Sequence, residues 1–131
     1  MDSHFERALQ VRKDILGAAY VEAAMNRSAF TAPFQKFVTN FAWGEGWLDD
    51  SIDLKVRSLV TIAIVTTLGQ LDEIRIHVAA ALRNGVPQEE IFAVIKHVAL
   101  YAGIARGVAG MNIADVELAK FVEAREGSAQ A

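Results

Sequence analysis

The chain contains two consecutive amphipathic helical patterns joined by a very short link, and this pairing restricts the fold more than any other feature of the sequence. The first pattern is LDEIRIHVAAALR at 71–83 and the second is EEIFAVIKHVALYA at 89–102. In each, apolar residues recur at the three- and four-residue spacing of one helix face. The link NGVP at 84–87 supplies a glycine that ends one helix and a proline that begins the next. Two antiparallel helices joined this closely predict an all-α bundle.

Hydropathy periodicity and breaker residues predict six helices and no strand along the chain. We expect the helices at about 5–25, 33–43, 54–68, 71–84, 88–103 and 106–125. The apolar run VTIAIVTT at 60–67 also fits a buried strand, but no hairpin signal flanks it, so a helix is favoured. The two glycines of GEGW at 44–47 predict a loop. The chain therefore reads as one all-α domain over residues 1–125, with a disordered tail over 126–131.

Composition limits the partners of this chain. With 53% hydrophobic residues and a mean hydropathy of +0.24, a chain of 131 residues has more apolar surface than one copy easily buries, which predicts a homo-oligomer. The absence of cysteine excludes thiol chemistry, disulfides and Cys-ligated metals. The net charge of −3, without a basic cluster, argues against nucleic acid. No apolar run has spanning length and the N-terminal segment is highly charged, so we expect no membrane partner and a cytoplasmic location.

A polar strip runs along the helix predicted at 71–84, beside its apolar face. Because an α-helix turns about 100° per residue, Glu73, His77 and Asn84 lie near one line at the border of the core. The strip is either a satisfied structural network or the wall of a pocket. Glu73 one turn before His77 favours an oriented imidazole that donates a proton, although Glu–His pairs at this spacing also occur on surfaces. Asn84 is expected to cap the helix.

The remaining histidines do not suggest a metal site. His97 shares a helix face with Tyr101 and is interpreted as structural or exposed, and His4 as solvated. The three histidines have no ligand spacing, and no glycine-rich phosphate loop occurs. We therefore expect neither a metal nor a cofactor.

Arg57 begins a helix that is apolar or small on nearly all sides, so its guanidinium needs an anion. That anion is either a carboxylate of this chain or the carboxylate of a ligand. The chain's own candidates are three residues: Glu45, Asp53 and Glu73.

The segment WGEGW at 43–47 brings two large rings, a carboxylate and two glycines together. Loops held on rigid helices often carry functional residues. Trp43 and Trp47 therefore either fill a helix corner or form flat walls of a site that includes Glu45.

Together these motifs resemble the γ-carboxymuconolactone decarboxylase family. The resemblance rests on WGEGW, LKVRSL at 54–59, EIRIHVAAALRNGV at 73–86 and YAG at 101–103, and ILGAAYV at 15–21 extends it upstream. It implies a six-helix, alkylhydroperoxidase-like bundle that forms trimers or hexamers and needs no cofactor. It also implies a carboxy-lyase that converts γ-carboxymuconolactone to β-ketoadipate enol-lactone and CO2 in aromatic (protocatechuate) catabolism. The related alkylhydroperoxidases use a C-x-x-C pair, and this chain has Gln70 and Glu73 there, which excludes peroxidase chemistry.

The resemblance also implies a role for each candidate residue. His77, positioned by Glu73, donates a proton, and Glu45 is the alternative donor. Arg57 binds a substrate carboxylate. The dry wall of the pocket is expected to consist of aromatic side chains: Trp43, Trp47 and Tyr101.

Three positions depart from the pattern of the family. Asp49 stands where relatives often have a basic residue, Gly46 where they often have a bulky aliphatic one, and Ala105 where they often have proline. Arg106 is a candidate replacement for the missing base. These departures leave two alternatives open: a related thiol-free lyase or isomerase acting on another aromatic-derived lactone acid, and a non-catalytic oligomeric ligand-binding protein.

Overall fold

The computed structural model describes residues 3–130, with the side chains of residues 3–128. Within that range the chain contains helices and no strand, so the predicted all-α fold is confirmed. None of these helices combines the length and the apolar character needed to cross a membrane. In order, the elements are α1 (His4–Leu16), α2 (Ala18–Met25), α3 (Ala32–Val38), a π-helix (Thr39–Trp47), α4 (Leu54–Leu68), α5 (Leu71–Arg83), α6 (Gln88–Ala102) and α7 (Ile104–Gln130).

The single helix predicted over 5–25 is wrong, because the chain breaks it at Gly17. This residue has φ of 94°, a backbone conformation that glycine adopts at little steric cost. Its N–H donates to the carbonyl oxygen of Lys13 at 2.8 Å, which ends α1, and α2 starts at the next residue.

The predicted loop at GEGW is also wrong, because these residues belong to the nine-residue π-helix. Two glycines disfavour any helix by roughly 1 kcal/mol each relative to alanine. The same segment buries Trp43 and Trp47, and burial of a large aromatic side chain is worth more than that. Packing therefore overrides the local preference of the glycines. π-Helices are rare and are frequently found at functional sites.

The last helix continues through the segment predicted to be a disordered tail. α7 runs to Gln130, so residues 126–130 are helical in the structure. Adding a residue to an existing helix costs far less than starting a new one, and the long preceding helix supplies that start. The final residue lies outside the described range.

The helices fall into two compact units, one ending at Leu54 and the other starting at Lys55. The prediction of one domain over residues 1–125 therefore stays a prediction. In the first unit α1 packs against the π-helix. Ser3 caps α1, since its Oγ accepts from the Glu6 N–H at 3.1 Å while the Glu6 carboxylate accepts from the Ser3 N–H at 3.2 Å.

In the second unit α5 and α6 both pack on α7. The short link predicted between two helices is confirmed: Asn84 follows α5, Gly85 has φ of 89°, and Pro87 precedes α6. Asn84 caps α5 as expected, because its Nδ2 donates to the carbonyl oxygen of Ala80 at 2.8 Å. The core of this unit is made of aliphatic side chains from several helices: Ile62, Ile74, Val78, Ala81, Leu82, Val86, Ile91 and Ile95.

α6 and α7 approach each other closely at Gly107. A Cβ atom built on this glycine would overlap Ala99 Cβ and would lie 3.1 Å from Ala99 Cα. The contact therefore involves the backbone of the neighbouring helix, which cannot swing aside as a long side chain can. Only glycine allows the two helices to pack at this distance.

α4 buries a single stripe, although its sequence is apolar nearly all round. Ser58, Ile62 and Thr66 are buried. On the other side, four aliphatic side chains one turn apart keep between 42% and 60% of their surface exposed: Val56, Val60, Ile64 and Leu68. We call these four residues the α4 stripe. The apolar sequence of this helix predicts that it is buried on most faces, and for the single chain that prediction is wrong.

Thr66→Val is expected to raise the free energy of unfolding by about 1 kcal/mol. Thr66 Oγ1 is fully buried and has no hydrogen-bond partner among the described residues. Valine removes this unsatisfied hydroxyl and keeps the branched shape. Thermal or urea unfolding measures the difference.

The matched control is Thr61→Val on the same helix. Thr61 Oγ1 donates to the carbonyl oxygen of Arg57 at 2.8 Å, so its removal should lower stability or leave it unchanged. Equal effects of the two substitutions would contradict this account of Thr66.

Candidate active site

The residues predicted to form the site lie on four helices. In the first unit the π-helix carries Trp43, Glu45 and Trp47. In the second unit Arg57 lies on α4, Glu73 and His77 on α5, and Tyr101 on α6.

His77 and Glu73 form a pair of titratable groups at the predicted site. Their spacing of four residues places them one turn apart on α5, and His77 Nε2 lies 3.5 Å from Glu73 Oε2. The imidazole is only 7% exposed, whereas Glu73 is exposed. A carboxylate at this distance, one turn away on the same helix face, orients the ring. The arrangement is suited to a proton donor whose ring is fixed by packing.

Arg57 lies in the first turns of α4 and is partly buried, with its Nε atom enclosed. A cation near a helix N-terminus opposes the helix dipole, so an anion must favour its position. The backbone carbonyl oxygen of Arg57 accepts a hydrogen bond from Thr61 Oγ1, one turn later on α4. Assignment of a substrate carboxylate to Arg57 stays a prediction.

Trp43 and Trp47 stack on each other. Their ring centroids are 4.8 Å apart with an interplanar angle of 22°, and both side chains are buried. Glu45, between them in sequence, is exposed. The π-helix thus turns the two rings to one side and the carboxylate to another.

Tyr101 is 83% exposed, and its ring lies 4.8 Å from that of His97 on the same helix. Both residues line a cavity of about 620 Å³ between α4 and α6, whose other lining residues are mostly aliphatic. In one copy of the chain this ring is in water. It can form the predicted dry wall only if another molecule covers it.

Arg106 is on α7, and its guanidinium lies beside the turn between α4 and α5. A Cβ atom on Gly69, which has φ of 70°, would overlap Nη1 of Arg106. The guanidinium therefore lies against the turn that immediately precedes α5, the helix that carries Glu73 and His77. Arg106 thus places a cation beside this turn, and its role as the replacement base stays a prediction.

A larger cavity of about 740 Å³ lies between α5, α6 and α7 and was not predicted from the sequence. Its charged lining residues are Glu89 and Asp115. Carboxylates repel an anionic substrate, so this cavity is a poor site for a lactone acid. Arg57 and His77 line neither this cavity nor the one beside Tyr101.

Sequence reasoning missed a buried polar network in the first unit. Arg12 is buried on α1 and donates to Thr39 Oγ1 at 2.9 Å and to Gln35 Oε1 at 2.8 Å. The signal was present, because Arg12 occupies a position on the apolar stripe of α1 with Ala8 and Ile15. A charged residue on such a stripe indicates a buried partner.

Within the described residues, no group of three or more His, Asp or Glu side chains is placed to hold a metal ion.

Comparison with known proteins identifies the family. Residues 32–116 match the model of the Carboxymuconolactone decarboxylase family. The chain is 38% identical over 115 residues to the 4-carboxymuconolactone decarboxylase of Acinetobacter baylyi, a match that covers 87% of this chain and 86% of that protein. It is also 34% identical over 123 residues to the nitrosuccinic acid decarboxylase npaB of Metarhizium robertsii, covering 93% of this chain and 86% of that one. The resemblance seen in the motifs is thus confirmed, and the chain belongs to the carboxymuconolactone decarboxylase family.

Proposed function

We propose that the protein is a cofactor-free carboxy-lyase that converts γ-carboxymuconolactone to β-ketoadipate enol-lactone and CO2. The observation that carries this proposal is the 38% identity to 4-carboxymuconolactone decarboxylase over 87% of the chain. The buried His77 beside Glu73 gives the activity a chemical basis.

The substrate of this reaction supplies its own electron sink. The bond between the ring carbon and the leaving carboxylate breaks, and its electron pair moves through the ring double bond onto the lactone carbonyl oxygen. CO2 departs, and a proton then adds to the carbon α to that carbonyl. The protein must hold the second carboxylate, stabilise the developing oxyanion and deliver one proton.

The candidate residues divide these tasks. Arg57 binds a carboxylate through its planar fork. His77, oriented by Glu73, donates to the oxyanion or to the α-carbon. Glu45 is the alternative donor, and its exposure on the π-helix is compatible with contact to a ligand.

A second candidate substrate is a nitro-dicarboxylic acid, favoured by the 34% identity to nitrosuccinic acid decarboxylase over 93% of the chain. In such an acid the electron pair of the breaking bond moves into the nitro group, and a proton then adds to the same carbon. The demands on the protein are the same, namely an anchor for one carboxylate, a polar environment for the new anion and one proton. The two candidate substrates therefore require pockets of different shape, but they place the same chemical demands on the protein.

We also propose that the protein works as a homo-oligomer, a trimer or hexamer. The exposed α4 stripe and the exposed Tyr101 support this, because aliphatic and aromatic side chains of this number are rarely left in water. The cytoplasmic location predicted from the sequence stays a prediction.

The test is incubation of the protein with γ-carboxymuconolactone and, separately, with nitrosuccinate, while CO2 release is measured. Arg57→Gln should raise KM by roughly 10–100-fold, because it removes a charged hydrogen-bonding contact to the substrate. Arg75→Gln, on the exposed side of α5, should leave KM and kcat unchanged.

Each other outcome has a defined meaning. CO2 from nitrosuccinate alone would replace the first candidate by the second. A product that retains every carbon would indicate an isomerase, and tight binding without turnover would indicate a non-catalytic protein.

A further inference from the structure

The π-helix needs an external support, because its winding is intrinsically less favourable than that of an α-helix. α1 provides a surface for it, since these two elements pack along their length. One line of α1, at intervals of four residues, contains His4, Ala8 and Arg12. Ala8 is fully buried and Arg12 is 5% exposed.

Arg12 binds both sides of the junction between α3 and the π-helix. Its Nη1 donates to the hydroxyl of Thr39, the first residue of the π-helix, at 2.9 Å. Its Nη2 donates to Oε1 of Gln35 on α3 at 2.8 Å. Thr39 Oγ1 in turn donates to the backbone carbonyl of Gln35 at 2.9 Å. The three residues form an ordered chain of hydrogen bonds at the point where the helix changes its winding.

A buried guanidinium at this position is an unusual choice for packing alone. An apolar side chain of similar volume fills such a place without the cost of removing a charge from water. What arginine adds is geometry, because its rigid fork holds two acceptors in fixed directions, whereas lysine offers a single rotatable ammonium group. The network therefore fixes one arrangement of the two helical segments.

We propose that Arg12 is a positioning residue of the enzyme: by fixing the start of the π-helix, it sets the positions of Trp43, Glu45 and Trp47. The catalytic part of this inference rests on the proposed function, while the structural part stands by itself. Arg12 acts through the π-helix and is not assigned a contact with substrate.

A second contact supports α1 as the platform. A Cβ atom on Gly44, in the middle of the π-helix, would overlap the imidazole of His4. α1 thus meets the π-helix at its first residue, through Arg12, and again five residues later, through His4. The contacts define both the start of the π-helix and its rotation against α1.

The tryptophans give a direct report on this geometry. The chain contains two Trp residues, and both lie on the π-helix. Because their rings are stacked at 4.8 Å, they should give an exciton couplet in circular dichroism. That couplet and the tryptophan fluorescence describe the π-helix without any contribution from a tryptophan elsewhere.

The experiment compares Arg12→Lys, Thr39→Val and Thr39→Ser with the unchanged protein. Arg12→Lys should reduce the couplet and lower kcat by roughly 10–100-fold, as expected for displaced groups at a site. KM should change less, because Arg57, the proposed anchor of the substrate, lies on another helix. Thr39→Val should also reduce the couplet and lower kcat. Thr39→Ser keeps the hydroxyl, so its couplet and kcat should match those of the unchanged protein.

Arg7→Lys is the matched control, because Arg7 is an exposed arginine of the same helix. It should leave the couplet and the kinetics unchanged. An unchanged couplet in Arg12→Lys and Thr39→Val would overturn the inference. If Arg12→Lys does not fold, the Thr39 pair decides, since equal behaviour of valine and serine would also overturn it.

The same design separates this inference from the proposed function. If the unchanged protein releases no CO2 from either substrate, the proposed function fails, and the couplet alone still tests the role of Arg12. If the couplet changes while kcat does not, Arg12 positions the π-helix but the π-helix does not serve the reaction, which overturns the catalytic part.

Discussion

His77→Gln is expected to lower kcat/KM for decarboxylation by roughly 10²–10³-fold, the range associated with removal of a positioned proton donor. Glutamine keeps a hydrogen-bonding side chain of similar length but cannot deliver a proton. Because His77 is 7% exposed, its ring is held by packing and its place is not easily taken by water. The measurement is the initial rate of CO2 release from γ-carboxymuconolactone with matched folding verified by circular dichroism.

Two further variants define the contribution of the pair. Glu73→Gln should lower kcat/KM by about tenfold, a smaller effect than that of His77→Gln. It removes an orienting charge 3.5 Å from His77 Nε2 but leaves the proton donor in place. The double variant should be little worse than His77→Gln alone, since Glu73 acts through the imidazole. Near-normal turnover of His77→Gln would remove His77 from the mechanism and leave Glu45 as the candidate donor.

Gly107→Ala is expected to lower the free energy of unfolding by roughly 1–3 kcal/mol, the usual cost of overpacking. The new Cβ atom would overlap Ala99 Cβ and approach Ala99 Cα to 3.1 Å, so α6 and α7 must separate. For a chain of this length we expect a decrease in Tm of roughly 3–12 °C. Thermal unfolding followed by circular dichroism measures it.

The control is Gly127→Ala on the same helix. A Cβ atom there has no neighbour within 4 Å, so the substitution should raise stability slightly, by up to about 1 kcal/mol, because alanine is the better helix former. If both substitutions stabilise the protein, the close approach at Gly107 does not determine how α6 and α7 pack.

The sequence was sufficient to predict those parts of the fold that depend on neighbouring residues. The end of α5 and the start of α6 follow from the signals at Asn84, Gly85 and Pro87, all within one short link. The π-helix could not be predicted in this way. Its glycines favour a loop, whereas the π-helix packs against α1, more than twenty residues earlier in the chain, a contact that no local pattern shows.

The same distinction applies to the site. The Glu73–His77 pair was predicted because its partners are one turn apart on one helix. The bond between Arg12 and Thr39 was not, because it joins residues 27 positions apart and no local pattern relates them. The expected role of Tyr101 in a dry wall depends on contact between molecules. A ring that is 83% exposed in one copy needs a second molecule before it can exclude water.

The exposed α4 stripe also has a consequence for single copies of the chain. In a single copy of the chain, the side chains of the stripe are accessible to any other apolar surface: Val56, Val60, Ile64 and Leu68. Side chains in such a row attract incorrect partners as readily as correct ones. The oligomer proposed above would cover this stripe, so strong dilution should reduce specific activity over time, because it lengthens the period in which single copies are present.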